Sequence, residues 1–204
     1  MPVDMEKRPL NERFDHLLEV LSSQRFLKVE GIGNEVPFFI CPYDVQEANA
    51  MEKLQNNLAK QLESRGKNLL RVNLYDLCIQ ILKERELWEL IAEEEQDMDK
   101  NELLKNLNNV LGAEEYLAPK IAEMLHAGRY DLMFLNGIGE VFPYIRSHEI
   151  LNNLEKNAKT TPMVMFFPGS YTYSMESGAS LDLFGSLHDD KYYRAFNIYH
   201  YQAK

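Results

Sequence analysis

Two short apolar runs, residues 132–135 and 163–167, are each followed by side chains that could do chemistry. The first run is followed by an amide, a carboxylate, a guanidinium and an imidazole, from Asn136, Glu140, Arg146 and His148. A further carboxylate, from Asp189, lies after the second run. Such groups can bind a phosphate or transfer a proton when they lie within hydrogen-bonding distance of a substrate. One hypothesis is therefore an enzyme or a nucleotide sensor that acts where these residues meet.

A metal site is a second chemical possibility, because His188, Asp189 and Asp190 are adjacent. A metal site usually also draws ligands from distant parts of the chain, and the sequence has no HExxH motif and no paired CxxC motifs. We therefore expect no metal and no other cofactor.

Two pairs of basic residues, Arg146 with His148 and Lys191 with Arg194, could bind a phosphate or a carboxylate. The alternative for Arg146 is a pairing with Glu140, or with a carbonyl at the end of a strand, that holds its loop in place. We favour this alternative.

Tyrosines follow the second run, and they could stack on nucleic-acid bases. They are Tyr171, Tyr173, Tyr192 and Tyr193. The net charge of −10 and the pI of about 5.0 disfavour binding to phosphate backbones, which requires a basic surface. Tyrosine is favoured at protein interfaces, so we predict a contact with another protein and no direct tight binding of nucleic acid.

The elements that position these residues follow from hydrophobic periodicity. Short apolar runs bounded by turn residues predict buried strands, and they lie near residues 36–41, 69–74, 131–136, 163–167 and 196–201. Helical periods separate them, so we predict an α/β fold, a single-domain three-layer sandwich over residues 1–204 with a mostly parallel five-stranded sheet. Residues 1–10 are polar and are predicted to be flexible. Residues 169–180 show no period and are predicted to form a loop.

Parallel strands end at one edge of a sheet, and in open α/β sheets ligands bind outside that edge. We therefore predict that residues 136–148 and 169–194 form one face that docks a partner. The residues assigned to this face are Asn136, Glu140, Phe142, Arg146, His148, Tyr171, Tyr173, His188, Asp189, Tyr192 and Arg194.

The order of strands and helices resembles that of P-loop ATPases, but the catalytic parts are absent. No GxxxxGK[ST] motif occurs in the sequence, and the first strand leads into Cys41 and Pro42 rather than into glycines. The strand that would carry the magnesium-binding acid ends in Asn136, which lacks the charge that Mg²⁺ coordination draws on. These features argue against hydrolysis of a nucleotide.

The cellular compartment is predicted from three features. The two cysteines, Cys41 and Cys78, lie in apolar surroundings, which suggests reduced thiols. The first residues have no apolar signal segment, and no apolar run approaches the ~20 residues of a membrane span. The cytoplasm is the predicted location.

Several long blocks, in order, resemble the BrxB family, the small B component of bacterial BREX phage-defence systems. They are GNEVPFFICPY (33–43), VNLYDL (72–77), FLNGIGEVFPYIRSHEILNNL (134–154), VMFFPGSYTYS (164–174) and LDLFGSLHDDKYYRAFNI (181–198). The resemblance implies a bacterial component of a system that restricts phage and marks host DNA by adenine methylation. It implies as partners the PglZ-type alkaline-phosphatase-like protein, the BrxC-type ATPase and the PglX-type methyltransferase. It supplies no catalytic residue.

Two functions from different classes therefore remain. The first is a non-catalytic adaptor that assembles defence components, and it is motivated by the missing phosphate loop and the aromatic residues after the strands. The second is a nucleotide sensor or a metal-dependent enzyme at the carboxyl edge of the sheet.

Overall fold

A computed structural model gives the structure of the chain and describes residues 4–30, 36–156, 160–174, 178–189 and 194–203. Seven strands lie in one sheet: β1 (Phe38–Tyr43), β2 (Leu69–Asn73), β3 (Leu132–Asn136), β4 (Met163–Ser174), β5 (Gly178–Leu183), β6 (Leu187–Asp189) and β7 (Phe196–Asn197). The helices are α1 (Leu10–Ser22), α2 (Gln24–Leu27), α3 (Ala48–Ser64), α4 (Leu74–Glu84), α5 (Trp88–Glu94), α6 (Lys100–Val110), α7 (Ala118–Ala127), α8 (Ile138–Val141) and α9 (Ser147–Glu155). Short 3-10 helices at Met5–Lys7, Val45–Glu47 and Ile198–His200 and a π-helix at Ala113–Leu117 complete the described elements.

The five strands in the order β2–β3–β4–β1–β7 pair in parallel. The predicted single-domain α/β fold with a mostly parallel sheet is therefore confirmed. The register pairs Ile40 with Met165 and Phe134 with Val164, so β4 lies in the middle of the sheet, between β1 and β3. Parallel pairing requires a crossover between consecutive strands, and helices supply the crossovers after β1, β2 and β3.

Side chains alternate between the two faces of the sheet and make two cores. In β1, Phe39 and Cys41 face the core formed with α1 and α3, whereas Phe38 and Ile40 face the core formed with α4 and α9. This alternation is the two-residue period of a strand that is buried on both faces. Each fully buried large apolar side chain contributes roughly 1.5–3 kcal/mol, so the central strands are the most strongly held part of the sheet.

The predicted loop at residues 169–180 is wrong, because β4 continues to Ser174 and turns back as β5 and β6. Ala179, Leu181 and Leu183 of β5 are buried, and the residues between them face outward, so this strand packs one face on the core. Gly169 permits the pairing, because a Cβ atom there would lie 2.1 Å from the backbone oxygen of Asp182. We call β4 beyond Gly169, β5, β6 and the turn between β5 and β6 the hairpin extension.

The predicted fifth strand at residues 196–201 is also mostly wrong. The strand β7 contains only Phe196 and Asn197, and a 3-10 helix follows. The Asn197 side-chain oxygen accepts a hydrogen bond from the Tyr199 N–H at 3.0 Å, so this residue caps the helix and ends the strand.

At the other end of the described chain, residues 5–7 form a 3-10 helix, and Met5 packs against the core. Within the described ranges, no helix combines the length and the apolar character that crossing a membrane requires.

Candidate functional site

The ends of β1, β2 and β3 meet at one edge of the sheet, which we call the carboxyl edge. Asn73 at the end of β2 pairs with Asn136 at the end of β3. Tyr43 at the end of β1 pairs with Pro168 and Gly169 of β4. The strands β3 and β4 also pair in parallel, with Leu135 opposite Met165, so the residues that follow these two strands leave the sheet at the same edge, as the sequence predicts.

A cleft of about 700 Å³ lies at this edge, between the start of α3 and the ends of β1, β2 and β3. We call it the acidic cleft, because three carboxylates, from Glu52, Asp76 and Glu140, line it together with one cation, Arg71. The Arg71 guanidinium donates a hydrogen bond to the Asn56 side-chain oxygen at 2.6 Å. Burial, and then the charges of Asp76 and Glu52, raise the pKa of Glu140. The cleft therefore has an excess of negative charge and disfavours a phosphate.

Asn136 lies in this cleft, where its amide nitrogen donates to the Gln55 side-chain oxygen at 3.0 Å. The Gln55 side chain is buried, and the Asn136 oxygen is buried without a hydrogen-bond partner among the described residues. Asn136, which stands where a P-loop ATPase would have its magnesium-binding acid, thus holds α3 against β3 through its hydrogen bond to Gln55. In the described part of the chain, no group of three or more His, Cys, Asp or Glu side chains is placed to hold a metal ion.

The turn after β3 packs closely against the end of β2. Gly137 has a φ of +79°, and a Cβ atom there would lie 2.6 Å from the Asn73 side-chain oxygen. That oxygen accepts hydrogen bonds from the N–H groups of Tyr75 and Asp76 at 2.8 and 3.2 Å, so Asn73 caps α4. Glycine at 137 therefore lets the cap of α4 and the turn after β3 occupy adjacent space.

Our preferred interpretation of Arg146, a pairing with Glu140 or with a carbonyl, is wrong. Arg146 is exposed, and its guanidinium makes neither contact within the described part of the chain. Its backbone N–H donates to the Glu149 carboxylate at 3.2 Å, which stabilises the start of α9. The guanidinium of Arg146 is thus available to solvent and to a partner.

The residues predicted for the docking face divide into exposed and buried groups. Tyr173 is 69% exposed, whereas His148 is only 5% exposed and belongs to the packing of α9. Tyr171 is half-buried, and its hydroxyl donates to the Ala195 carbonyl at 2.9 Å. Phe142 stacks edge-on against Phe184, with ring centroids 6.5 Å apart.

The C-terminal members of the predicted face are only partly described. Arg194 pairs with Glu155 of α9 at 3.1 Å. His188 and Asp189 lie in β6, opposite Asp182 and Leu181 of β5. The predictions for Asp190, Lys191, Tyr192 and Tyr193 fall outside the described residues.

A second depression, of about 270 Å³, separates the start of α9 from the hairpin extension. We call it the hairpin groove. Apolar residues make most of its wall, and the lining is Ile138, Phe142, Ile145, Arg146, Ser147, Leu181, Leu183, Ser186 and Leu187. It therefore brings Phe142 and Arg146, two residues predicted for the docking face, into one site.

Phe184 and Leu187, each 40% exposed, were not predicted for the docking face, because no strand was predicted over residues 178–189 and nothing distinguished them from the rest of that segment. The alternation of Ala179, Leu181 and Leu183 with polar residues was the signal that could have found this strand.

Neither cysteine is a candidate nucleophile. Burial raises the pKa of both Cys41 and Cys78 to about 12, and the Cys41 thiol donates a hydrogen bond to the Tyr199 hydroxyl at 3.3 Å. A thiol in such surroundings stays protonated near neutral pH and is inert.

The fold and the site define an α/β protein whose parallel strands end at an acidic cleft and an apolar groove instead of a phosphate-binding loop. The family model for BREX protein BrxB matches residues 70–198. A BREX protein BrxB of Bacillus cereus (strain H3081.97) is 34% identical over 199 residues, which cover 94% of this chain and 98% of that protein. A BREX protein BrxB of Escherichia coli O9:H4 (strain HS) is 32% identical over 190 residues, with coverage of 93% and 91%.

The chain therefore belongs to the BrxB family of BREX phage-defence systems, and the resemblance seen in the sequence is confirmed. No solved structure gives a significant match to this chain.

Proposed function

We propose that this chain is a non-catalytic adaptor that docks other BREX components on the carboxyl edge and the hairpin extension. The observation that carries this proposal is the position of exposed apolar side chains. Six large hydrophobic residues of the described chain are exposed, and five of them, Val45, Tyr75, Tyr173, Phe184 and Leu187, follow β1 or β2 or belong to the hairpin extension. Exposed apolar side chains that gather in one region mark interaction surfaces.

The acidic cleft supports an adaptor over a nucleotide sensor. A nucleotide would bring several negative charges next to Glu52, Asp76 and Glu140. Like charges a few ångströms apart repel, and a partly buried cleft screens them less than open water does. Without a phosphate-binding loop, few groups would offset this repulsion.

The partners we propose are the other BREX components, first the PglZ-type alkaline-phosphatase-like protein, and also the BrxC-type ATPase and the PglX-type methyltransferase. In this role the chain would act in the cytoplasm and link phage restriction to the methylation of host DNA. The buried, protonated thiols of Cys41 and Cys78 are consistent with a reducing compartment.

The experiment is co-purification from a strain that carries the whole cluster, with a tagged chain that has Arg146→Glu and Tyr173→Ala together. Both side chains are exposed, so the variant should stay folded, since surface changes are usually within about 0.5 kcal/mol. We expect it to lose its partner and the protection against phage.

A matched control carries Arg129→Glu and Leu90→Ala, which change an exposed arginine and an exposed apolar residue away from the carboxyl edge. It should keep its partner and protect cells. If the first variant is folded and also keeps both properties, docking occurs elsewhere, and the acidic segment at residues 93–102 becomes the next candidate.

A further inference from the structure

The hairpin groove has an apolar floor that is fixed by the core. Ile138, Ile145 and Leu181 line it and are each only 1% exposed, so their positions are set by packing on other elements. Leu187 forms part of the rim and is 40% exposed. The groove is thus a preformed depression with one apolar wall that water still reaches.

The lining of the hairpin groove carries a positive charge. Among the described residues that line it, Arg146 is the one that carries a charge. Its guanidinium has no hydrogen-bond or ion-pair partner in the described part of the chain. An arginine at the mouth of an apolar groove recognises a carboxylate well, because its planar fork can donate two parallel hydrogen bonds.

The size of the groove limits what it can hold. Its volume is about 270 Å³, and an apolar protein cavity of roughly 150 Å³ is large enough for benzene. The groove therefore fits one aromatic ring or one or two aliphatic side chains, and it is too small for a folded element. The occupant that matches is a short segment with a single large anchor.

We propose that the hairpin groove receives a partner segment that carries a large apolar side chain with an aspartate or glutamate within two residues of it. The apolar side chain fills the groove, and the carboxylate pairs with Arg146. This inference rests on the proposed adaptor function and names the chemistry of the partner that docks.

A second copy of this chain is the main competing occupant. Leu90 on α5 is 48% exposed and lies beside Glu89 and near Glu93, so it offers similar chemistry. A contact between α5 of one copy and the groove of another would be heterologous and would produce rings or filaments. The net charge of −10 opposes such self-association, so we favour a different protein.

The test is a selection of random dodecapeptides, displayed on phage, against the full-length wild-type chain. We expect the selected peptides to share a large apolar residue with an acid one or two positions away. The best peptide is then synthesised with a fluorophore, and its dissociation constant is measured by anisotropy. Selected peptides that share no acid would overturn the proposal.

Four chain variants test the geometry with that peptide. Arg146→Glu should weaken binding about tenfold, because it removes an attraction and adds a repulsion. Arg129→Glu makes the same charge change at an exposed site away from the groove and should bind normally. Arg146→Lys should retain part of the affinity, and Ser186→Phe, which fills the groove from its exposed rim, should abolish binding.

Thermal melts of each variant establish that the chain is folded before its affinity is used. Binding by Arg146→Glu or by Ser186→Phe within about twofold of the wild-type value, less than 0.5 kcal/mol, would refute the groove as the site. Sedimentation velocity of the wild-type chain should show a monomer at high concentration. Assemblies that disappear with Arg146→Glu would replace the foreign partner by a second copy and so overturn the proposal.

The outcome is separable from that of the adaptor proposal. If co-purification depends on the carboxyl edge but the peptides share no acid, the adaptor function stands and the groove inference fails. If peptides bind the groove as described but no BREX component co-purifies with the tagged chain, the adaptor function fails and the groove remains a site for acidic, apolar segments.

Discussion

Gly137→Ala is expected to destabilise the protein through two separate effects. The first is backbone strain, since a residue with a side chain at a φ of +79° pays roughly 1–2 kcal/mol. The second is the cap of α4. The new Cβ atom would lie 2.6 Å from the Asn73 oxygen and displace it, and losing an asparagine cap costs about 1 kcal/mol. The expected total is about 2–3 kcal/mol.

Gly66→Ala is the matched control for the strain alone. Gly66 has a φ of +72°, and nothing lies within 4 Å of the position that its Cβ atom would take. We expect this variant to cost about 1–2 kcal/mol. Any gain from a less flexible unfolded chain applies to both glycines, so the difference between the variants isolates the effect of the cap.

A double-mutant cycle with Asn73→Ala separates the contact from the strain. Asn73→Ala alone should cost about 1 kcal/mol, since it removes the cap. In Asn73→Ala combined with Gly137→Ala the displaced oxygen is absent, so the double variant should cost no more than Gly137→Ala by itself. The singles would then overestimate the double by about 1 kcal/mol.

Urea unfolding measures each free energy, provided that the m-value is the same for all variants. If Gly137→Ala lowers the free energy of unfolding no more than Gly66→Ala does, the close contact between residue 137 and the Asn73 side chain does not affect stability. Additive costs in the double variant would equally refute the argument, because they would show that the Asn73 cap survives the new side chain.

Three further predictions concern the titratable groups and the acidic cleft. The thiols of Cys41 and Cys78 should not react with Ellman's reagent at pH 8 in the folded chain, since burial raises the pKa of each to about 12; both should react after unfolding, and rapid reaction of the native protein would contradict this. Glu140→Gln should raise the melting temperature at neutral pH, because a raised pKa means that the folded state favours the protonated form. The ionised carboxylate destabilises the folded state only as the pH rises above the ordinary pKa of a glutamate. The higher melting temperature of Glu140→Gln should therefore disappear below about pH 4. Finally, calorimetry with ATP and GTP should give no dissociation constant below about 10 μM; a tighter value would favour the nucleotide sensor.

The strands β2 and β3 could be predicted because each is a short apolar run bounded by turn residues. Residues 69–74 and 131–136 were assigned within one residue of β2 and β3. The strand β3 is buried along its apolar run, as expected for a strand covered on both faces. The strand β2 lies at the edge of the sheet and alternates, with Leu70 and Val72 buried and Arg71 exposed. Their parallel pairing followed from the helices between them. The shared edge at Asn73 and Asn136 was therefore accessible to sequence reasoning.

The hairpin extension was not predicted, because its signal is weaker and was obscured by composition. The serines, tyrosines and glycines at 169–180 are typical of loops, and only one face of β5 is buried. The contacts of the Arg146 side chain could not be predicted from the sequence either. Which cation meets which carboxylate depends on distances that the sequence does not contain, and Glu140 faces the acidic cleft whereas Arg146 faces the hairpin groove.

The length of β4 has a consequence for how tightly a partner could bind. Its first residues pair with β1 on one side and β3 on the other, and the same unbroken strand continues five residues past its last pairing with Tyr43 into the hairpin extension. The extension is thus a direct continuation of the centre of the sheet. Because strand pairing sets its direction before any encounter, the extension has less conformational freedom to lose when a partner docks than an unpaired loop would have, and that saving in entropy favours binding.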